Sequence, residues 1–268
     1  MRASDIRPSD PIRYGAYFCL TAPPDGWSAV AAAGLLELAE RLGLRNEYYA
    51  EDGDPAESIA YLRRVAAEPG QIADPGLEDA HAIVHVAAGR PDVIDAFRDE
   101  LANLIDPAAG LRVLPGVVRP LRYTSAAMFN FAYGHRILQQ PASAMANAFL
   151  APVRKTAAWW EKDWMERHTY FLPRYDDSGQ MISQGHALAS AAGISCLLRR
   201  TYKSQVEPAG DGDYDFISYF ECADADVPVF HEVCAALRDT DANPEWKFVR
   251  EGPVWHGRRT ASWQDLFA

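Results

Sequence analysis

The sequence lacks both a long apolar run and an excess of positive charge. No stretch approaches the roughly 18 consecutive apolar residues of a transmembrane helix, and the first residues, MRASDIRPSDPIRY, contain no apolar core of a signal peptide. Lys and Arg number 26 against 37 Asp and Glu, so the formal net charge is -11. Because phosphate backbones and anionic lipids attract basic surfaces, we expect a cytoplasmic protein with no nucleic-acid and no membrane partner.

The sequence also lacks the spacings that mark common metal, redox and nucleotide sites. Its four cysteines form no C-x-x-C pair, so we expect neither a zinc site nor a disulfide framework, but buried thiols in a reducing compartment. There is no Walker loop, G-x-G-x-x-G, H-E-x-x-H or G-x-S-x-G. The short signatures of phosphate cradles, dinucleotide sites, zinc proteases and serine hydrolases are therefore missing. The cysteines are Cys19, Cys196, Cys222 and Cys234.

What the sequence does contain is enough apolar material for a large core. Of 268 residues, 49% are hydrophobic, and this length accommodates one large domain or two of about 130 residues each. Apolar patterns of strand and helix period alternate along the chain. They predict strands over 12–20, 82–87, 111–118, 215–220 and 247–254, and helices over 28–42, 92–104 and 229–237.

The segment 137–198 between these two groups of elements is rich in alanine and tryptophan. Because alanine favours helix, we predict helix over 141–164 on either side of Pro152, where the helix must break. The polar stretch 173–185 is predicted to be a loop, followed by a helix over 186–198 and a strand over 199–204. The stretch 51–79, with several Pro and Gly residues, yields no assignment.

The order strand, helix, strand occurs in both halves and indicates a duplicated α+β unit. The alternative is chance similarity between unrelated halves. We predict one repeat over 1–136 and a second over 137–268. At an offset of 133, Ile83, Val86 and Phe97 match Phe216, Tyr219 and Phe230; at an offset of 136, Gly116, Val118, Arg122 and Thr124 match Gly252, Val254, Arg258 and Thr260.

One of the seven histidines stands apart. His186 opens the predicted helix 186–198, in which Ala187, Ala189, Ala191 and other small residues would let a large planar group approach the backbone. Arg199 follows thirteen residues later, at the start of a predicted strand. On these residues alone, a surface histidine before a basic strand edge is the alternative. We expect structural roles for His81, His85, His135, His231 and His256.

These residues resemble the chlorite dismutase family of heme proteins. In that family a Pro-x-Arg-Lys-x-x-x-Trp-Trp stretch leads to the heme-bearing helix, and this chain has PVRKTAAWW at 152–160. The family's proximal histidine precedes a distal arginine by thirteen residues, as His186 precedes Arg199. Its Asp-Phe-Ile-Thr-Tyr-Phe-Glu strand corresponds to DFISYFE at 215–221. An inward Phe on the next helix and a Gly-x-x-x-x-Gly strand correspond to Phe230 and to Gly252 with Gly257. The resemblance covers 152–257.

The resemblance implies a fold and a set of site residues. The fold is α+β, with two ferredoxin-like repeats forming a subunit of the dimeric α+β-barrel type, of which the C-terminal repeat holds heme b and the N-terminal repeat serves assembly into a homo-oligomer. His186 would ligate the iron, and Arg199 would be the catalytic residue above the open iron face. The remaining expected cofactor contacts are Arg154 and Lys155 to the propionates, Trp159 to the porphyrin, and Ser218 and Phe220 in the pocket wall.

The chain departs from the family at three places. About twelve extra residues lie between Trp160 and His186, around 170–185, so His168 is the alternative ligand. The family has a carboxylate that supports the proximal histidine, and here both Asp241 and Glu245 are available. Coproheme decarboxylases of the same superfamily carry a catalytic Tyr immediately before the aligned Pro152, where this chain has Ala151, so we expect no conversion of coproheme to heme b.

The function that the resemblance implies is that of a heme b oxidoreductase acting on a small oxidant, chlorite or peroxide, at ferric heme. Two alternatives stay open: a biosynthetic enzyme that acts on an organic substrate under a lid formed by the 170–185 insertion, and a heme-binding protein without turnover. A structural α+β oligomer without cofactor is a further alternative. The expected partners are a small-molecule oxidant or substrate and further copies of the chain.

Overall fold

The computed structural model of the chain describes residues 13–22, 29–47, 57–106, 108–118 and 145–266. Its strands are β1 Arg13–Thr21, β2 Arg45–Asn46, β3 Ser58–Glu68, β4 Ala82–Ala88, β5 Gly110–Val118, β6 Asn147–Lys155, β7 Arg174–Tyr175, β8 Met181–Ser183, β9 Leu198–Lys203, β10 Phe216–Cys222, β11 Val249–Glu251 and β12 Val254–Thr260. Its helices are α1 Ala29–Arg41, α2 Pro75–Glu78, α3 Pro91–Leu104, α4 Ala157–Trp160, α5 Trp164–Thr169, α6 Gly185–Ala189 and α7 Val227–Arg238.

Eight of these strands close into a barrel. Neighbouring strands follow the order β10-β9-β5-β1-β4-β3-β12-β6, and β6 pairs with β10 to complete the ring. If the four barrel strands of each half are numbered along the chain, both halves have the spatial order 4-1-3-2. These strands are β5, β1, β4 and β3 in the N-terminal half and β12, β6, β10 and β9 in the C-terminal half. All pairs in the ring are antiparallel. The observed class is therefore α+β, as predicted.

Side chains alternate between the inner and outer faces of the barrel, and the apolar ones form three clusters, one inside the barrel and one on the outer face of each half. Tyr17, Leu150, Tyr219 and Trp255 belong to a cluster inside the barrel. On the outer face of the N-terminal half, α1 and α3 cover a second cluster that includes Phe18 and Phe97. On the outer face of the C-terminal half, α7 covers a third cluster. None of the described helices has both the length and the apolar character needed to cross a bilayer.

The prediction of helix over 141–164 is wrong for Asn147–Lys155, which form strand β6, and is confirmed for Ala157–Trp160, which form helix α4. Alternate side chains serve two cores: Ala148 and Leu150 face the barrel interior and Phe149 faces the helices. Pro152 is tolerated because it lies opposite the break between β11 and β12, where its carbonyl accepts a hydrogen bond from Gly252 N–H. Burial on two faces therefore overrides the helix propensity of alanine.

Other boundaries also differ from the predictions. The helix expected over 186–198 is only five residues long and is followed by a 3-10 turn at Ala191–Gly193. The strand expected over 247–254 is divided into β11 and β12, and the unassigned stretch 51–79 contains the long strand β3. The predicted domain boundary at 136/137 lies outside the described residues. All four cysteines are free thiols; Cys19 and Cys222 are buried, and Cys196 and Cys234 are partly exposed.

The predicted repeat alignment is out of register in its strands. At the offset of 133, Val86 is matched to Tyr219, but Val86 faces the outer helices and Tyr219 faces the barrel interior. A shift of one residue in a strand exchanges its two faces, so the strands β4 and β10 correspond at an offset of 134. The offset of 136 also fails, because Val118 ends β5 whereas Val254 begins β12.

Candidate functional site

His186 and Glu245 meet on the helix side of the C-terminal half. Nδ1 of His186 lies 2.8 Å from a carboxylate oxygen of Glu245, and the two side chains are 14% and 4% exposed. Glu245 lies in the 3-10 turn Pro244–Phe248. Asp241, the other carboxylate considered from the sequence, instead lies beside Asp239, which accepts a hydrogen bond from the Asp241 N–H. The residue that supports His186 is therefore Glu245.

Lys155 approaches the same carboxylate from the end of β6. Its ammonium group forms an ion pair with the second carboxylate oxygen of Glu245 and lies 4.2 Å from the centre of the Trp159 ring. Burial raises the pKa of Glu245, but the charges and hydrogen bonds of Lys155 and His186 outweigh burial and lower that pKa to about 2. Glu245 is therefore ionised at neutral pH.

Arg199 lies on the other side of the His186 ring. Its Nη1 is 3.5 Å from His186 Nε2, and its Nε is 3.4 Å from the Thr201 hydroxyl. An ionised carboxylate at Nδ1 and a guanidinium donor at Nε2 assign the ring proton to Nδ1. The Nε2 lone pair is then the one that a metal can bind.

The insertion before His186 holds the short helix α6 in place. His186 N–H donates to the Tyr170 carbonyl at 3.1 Å, and Ala187 N–H donates to the Phe171 carbonyl at 3.0 Å. The Phe171 ring lies 5.4 Å from the His186 ring. Gly185 has φ +63°, and a Cβ there would lie 2.7 Å from the Leu172 carbonyl carbon. Only glycine fits at this position, so the backbone of 170–172 sets where His186 is placed.

Trp159 is buried and belongs to an aromatic group beside the site. Its ring lies 5.6 Å from Tyr170 and 5.8 Å from Phe248, and Tyr170 and Phe248 are 5.4 Å apart. The Lys155 ammonium over the Trp159 face adds a cation–π contact. Trp159 therefore connects strand β6 to the insertion and to the turn that carries Glu245.

Ser218 and Phe220 lie on the strand next to Arg199 and on the same face. Phe220 pairs with Arg199 across β10 and β9, and Ser218 pairs with Thr201. Phe220 also contacts Phe230 of α7, with ring centres 5.3 Å apart. The structure thus brings Arg199, Ser218 and Phe220 to one sheet face, as the sequence pattern requires.

Arg154 does not join this group. It precedes Lys155 in β6 and therefore points to the opposite face, where its guanidinium donates to the backbone carbonyls of Gly210, at 3.0 Å, and Asp213. In this structure Arg154 anchors the loop after β9. Both residues thus have partners within the chain, a loop for Arg154 and Glu245 for Lys155, and their contacts with heme propionates stay a prediction.

Five other histidines lie in the described part of the chain, and His135 lies outside it. His168, the alternative ligand, is half-buried near the end of α5 and makes no side-chain hydrogen bond that we find within the described chain. His85 is inside the barrel, and His256 stacks on Phe149. Residues that sequence reasoning missed are Thr201, Tyr170 and Phe171, because only the tertiary fold shows that they contact Arg199 or the His186 helix.

No group of three or more His, Cys, Asp or Glu side chains in the described ranges could hold a bare metal ion. The donor set at His186 is different in kind: one imidazole nitrogen faces Arg199 Nη1 at 3.5 Å, and the other is held by a buried carboxylate. Such a set suits iron whose other ligands come from a macrocycle. The residues present therefore fit a heme.

No protein-family model matches the chain, and no curated protein matches it. Solved structures do match. A doubly substituted chlorite dismutase from Candidatus Nitrospira defluvii is 18% identical, with a TM-score of 0.67 over 95% of this chain and 94% of that one. The chlorite dismutase of the same organism in complex with imidazole is 19% identical, with a TM-score of 0.64 over 95% and 93%. At such identities the likeness establishes architecture, and the chain has the chlorite dismutase fold.

Proposed function

We propose that the chain belongs to the chlorite dismutase-like heme proteins, holds one heme b through His186 and is an oxidoreductase that acts on a small oxidant. The observation that carries the proposal is the arrangement around His186: Glu245 on Nδ1 at 2.8 Å and Arg199 facing Nε2 at 3.5 Å. The fold comparison supports it, since the matched solved structures are chlorite dismutases.

Each polar residue has a separate task in this proposal. A bound heme would supply an iron with an open coordination position at which a small oxidant can be reduced. His186 would donate its Nε2 lone pair, and Glu245 would keep the ring proton on Nδ1 and increase the basicity of the ligand. Lys155 keeps Glu245 ionised. Each of these tasks depends on contacts that exist before any oxidant binds.

Arg199 would select and hold the oxidant. Guanidinium is always charged and offers several donors in one plane, which suits a chlorite oxyanion or the hydroperoxide anion. A cation also stabilises the negative charge that develops on a departing oxygen atom. Ser218 and Phe220, on the same sheet face, would line the space that the oxidant enters.

We also propose that the two halves are ferredoxin-like repeats and that the subunit assembles into a homo-oligomer. The identical strand order of the halves supports the first point. The second is supported by exposed apolar side chains between Trp160 and His186, including Trp164, Met165, Tyr175 and Ile182, which are 51–56% exposed. Sedimentation analysis of the purified chain tests the assembly.

The absorption spectrum of the heme-reconstituted chain tests the proposed cofactor. We expect a high-spin ferric heme spectrum in the wild type and its loss in His186→Ala, because the iron loses its only protein ligand. His168→Ala and His256→Ala serve as matched controls and should keep the spectrum. Loss in His168→Ala with retention in His186→Ala would transfer the ligand role to His168.

Oxygen release after addition of chlorite tests the reaction. A chlorite-degrading protein should evolve oxygen in proportion to the chlorite consumed, whereas a peroxidase should oxidise a dye with hydrogen peroxide and release no oxygen from chlorite. A chain that keeps its heme spectrum and does neither contradicts the oxidoreductase proposal and leaves heme binding as the activity.

A further inference from the structure

The barrel interior holds a buried aromatic group that the proposed function does not use. We define the interior cluster as Tyr17, His85, Tyr202 and Tyr219, which come from β1, β4, β9 and β10. Each is at most 1% exposed. Two members come from each half of the chain, so the cluster exists only when the barrel closes.

The centre of the interior cluster is a hydrogen-bonded tyrosine and histidine. Tyr202 Oη lies 2.8 Å from His85 Nε2, which is a distance suited to proton transfer. The Tyr17 ring stacks on His85 with ring centres 4.5 Å apart and an interplanar angle of 18°. The Tyr219 ring lies 5.6 Å from Tyr17 and 5.9 Å from His85. The four rings are therefore in continuous contact.

Two glycines make room for Tyr202. Gly15 of β1 and Gly116 of β5 face each other in the sheet register. A Cβ on Gly116 would lie 2.7 Å from the Tyr202 Cβ, and a Cβ on Gly15 would overlap the Tyr202 ring. Both facing positions must therefore lack a side chain for the Tyr202 hydroxyl to reach His85.

Two of the three phenols have hydrogen-bond partners, since Tyr202 Oη contacts His85 Nε2 and Tyr219 Oη accepts a hydrogen bond from Arg259 Nη2 at 3.1 Å, but Tyr17 is not explained in this way. Removing a hydroxyl from water costs free energy unless it is hydrogen-bonded, yet the Tyr17 hydroxyl is buried and has no hydrogen-bond partner among the described residues. Burial, followed by the neighbouring phenols, raises the pKa of Tyr17 well above its ordinary value. Phenylalanine would fill the volume of Tyr17 without this cost, so a phenol at this position indicates a role other than packing.

Only one layer of sheet separates the interior cluster from the candidate site. Strands β9 and β10 carry Arg199 and Phe220 on their outer face, and the same strands carry Tyr202 and Tyr219 on their inner face. Arg199 and Tyr202 are three residues apart along β9. An oxidising equivalent generated at the outer face would therefore be separated from an oxidisable phenol by the thickness of one sheet.

We propose that Tyr202 and His85 form a one-electron redox site that receives an oxidising equivalent from the candidate heme site. In this step Tyr202 would give up one electron to the candidate heme site after hydrogen peroxide has oxidised that site, and the phenolic proton would move from Oη to His85 Nε2. The products would be a neutral tyrosyl radical, an imidazolium ion and a heme site reduced by one electron. A nearby base removes the need to form an acidic phenol cation, and the stacked Tyr17 ring extends the site.

Transfer of the oxidising equivalent from the heme site to Tyr202 rests on the proposed function, whereas the redox activity of the Tyr202–His85 pair does not. Two oxidants test these two claims separately. Azide radicals produced by pulse radiolysis oxidise tyrosine without any cofactor, and hydrogen peroxide added to the heme-reconstituted chain tests delivery from the site. Electron paramagnetic resonance reads the radical in both experiments, and at high field its g-values report whether the radical oxygen keeps a hydrogen bond.

We expect a hydrogen-bonded tyrosyl signal in the wild-type chain with either oxidant. Tyr202→Phe should lose this signal, and His85→Phe, which has neither a donor nor an acceptor, should lose its hydrogen-bonded character. Tyr175→Phe, a substitution of an exposed phenol, is the matched control and should keep it. The high-field measurement on the wild type remains available if a barrel variant fails to fold.

Three outcomes overturn all or part of the inference. A tyrosyl signal of unchanged yield in Tyr202→Phe, or a wild-type radical without a hydrogen bond, shows that another tyrosine is oxidised. A Tyr202 radical with azide but none with peroxide on the heme-loaded chain refutes delivery and keeps the redox pair. Failure to bind heme refutes the proposed function, while the azide experiment still decides the pair.

Discussion

The two halves of this chain share a strand order but differ in what covers their outer faces. In the N-terminal half, helices of 13 and 14 residues, α1 and α3, lie over an apolar layer that includes Phe18, Leu38 and Phe97. In the C-terminal half, the connection that corresponds to α1 consists of three short helices and the β7–β8 hairpin. His186 stands on one of those short helices, beside Glu245 and opposite Arg199.

The comparison shows that the barrel strands alone do not produce the candidate site, because both halves have the same strand order and the His186 group lies on the C-terminal half. Both halves place one sheet face towards helices. Within the described residues, the C-terminal face carries Arg199, Ser218 and Lys155, and a short helix beside it carries His186. A continuous 13-residue helix with an apolar stripe fills its face with side chains. The irregular connection instead leaves the polar groups of the C-terminal face paired with one another rather than covered by hydrocarbon.

The largest effects should come from the matched phenylalanines Phe97 and Phe230, which lie on α3 and α7. Phe97→Ala and Phe230→Ala should each lower the free energy of unfolding by about 3 to 5 kcal/mol, as measured by urea denaturation. Only Phe230→Ala should also weaken heme binding, since Phe230 contacts Phe220 and Phe149. Equal loss of heme affinity in Phe97→Ala would contradict the division of labour between the halves.

Arg199→Ala should next reduce turnover with an anionic oxidant. Loss of one charge contact in a partly buried site costs roughly 2 to 4 kcal/mol, which is about a thirtyfold to thousandfold decrease. Heme content should remain that of the wild type, and cyanide affinity, read from the spectrum, should fall in parallel. Arg199→Lys should recover part of the activity, because a point charge lacks the planar set of donors. Unchanged turnover in Arg199→Ala would limit this arginine to a structural role.

Glu245 should make stability depend on pH in the acid range. Its pKa is lowered from 4.5 to about 2 in the folded chain, so the stabilisation is complete above pH 4.5 and is lost as pH falls towards 2. At pH 7 we expect Glu245→Gln to be less stable than the wild type by roughly 2 to 4 kcal/mol. Urea denaturation from pH 7 to pH 3 should show the difference shrinking. A difference independent of pH would mean that Glu245 is not ionised in the folded chain.

Glu221, inside the barrel, should give the opposite slope and the smallest effect. Burial raises its pKa from 4.5 to about 7, although Arg259 opposes the shift. The folded chain then binds the proton first, so its stability should increase by roughly 1 to 3 kcal/mol as pH falls from 7 to about 4.5. Glu221→Gln should remove this increase in the same denaturation series. The two glutamates thus act as controls for each other.

Prediction from sequence succeeded where the pattern is local. The helices at 29–41 and 91–104 and the strands at 82–88 and 110–118 follow from apolar period and flanking Gly or Pro residues. It failed at β6, where an alanine-rich segment is extended because Leu150 and Phe149 are buried on opposite faces. It failed again in the repeat register, since a sequence match does not tell which face of a strand is the inner one.

Some features of the candidate site could be predicted from the sequence, and others depend on the fold. The separation of His186 and Arg199 and the PVRKTAAWW stretch are properties of the sequence, and through the family resemblance they predict a heme site. The choice between Asp241 and Glu245 could not be made along the chain, because only the folded loop between α7 and β11 places the Glu245 carboxylate against the imidazole, whereas Asp241 contacts Asp239 through its backbone N–H. Lys155 is another such case, since its partner is 90 residues away.

The sequence by itself determined the α+β class and the order of most elements, and it predicts a heme site around His186. These depend on local periodicity and on residue chemistry, both of which act over a few neighbouring positions. Only the tertiary structure decided which carboxylate supports His186, on which sheet face each residue of β9 and β10 lies, and that Tyr202 meets His85 inside the barrel. Contacts between distant segments depend on strand register and barrel closure, and one residue of register exchanges the inside of this barrel with its outside.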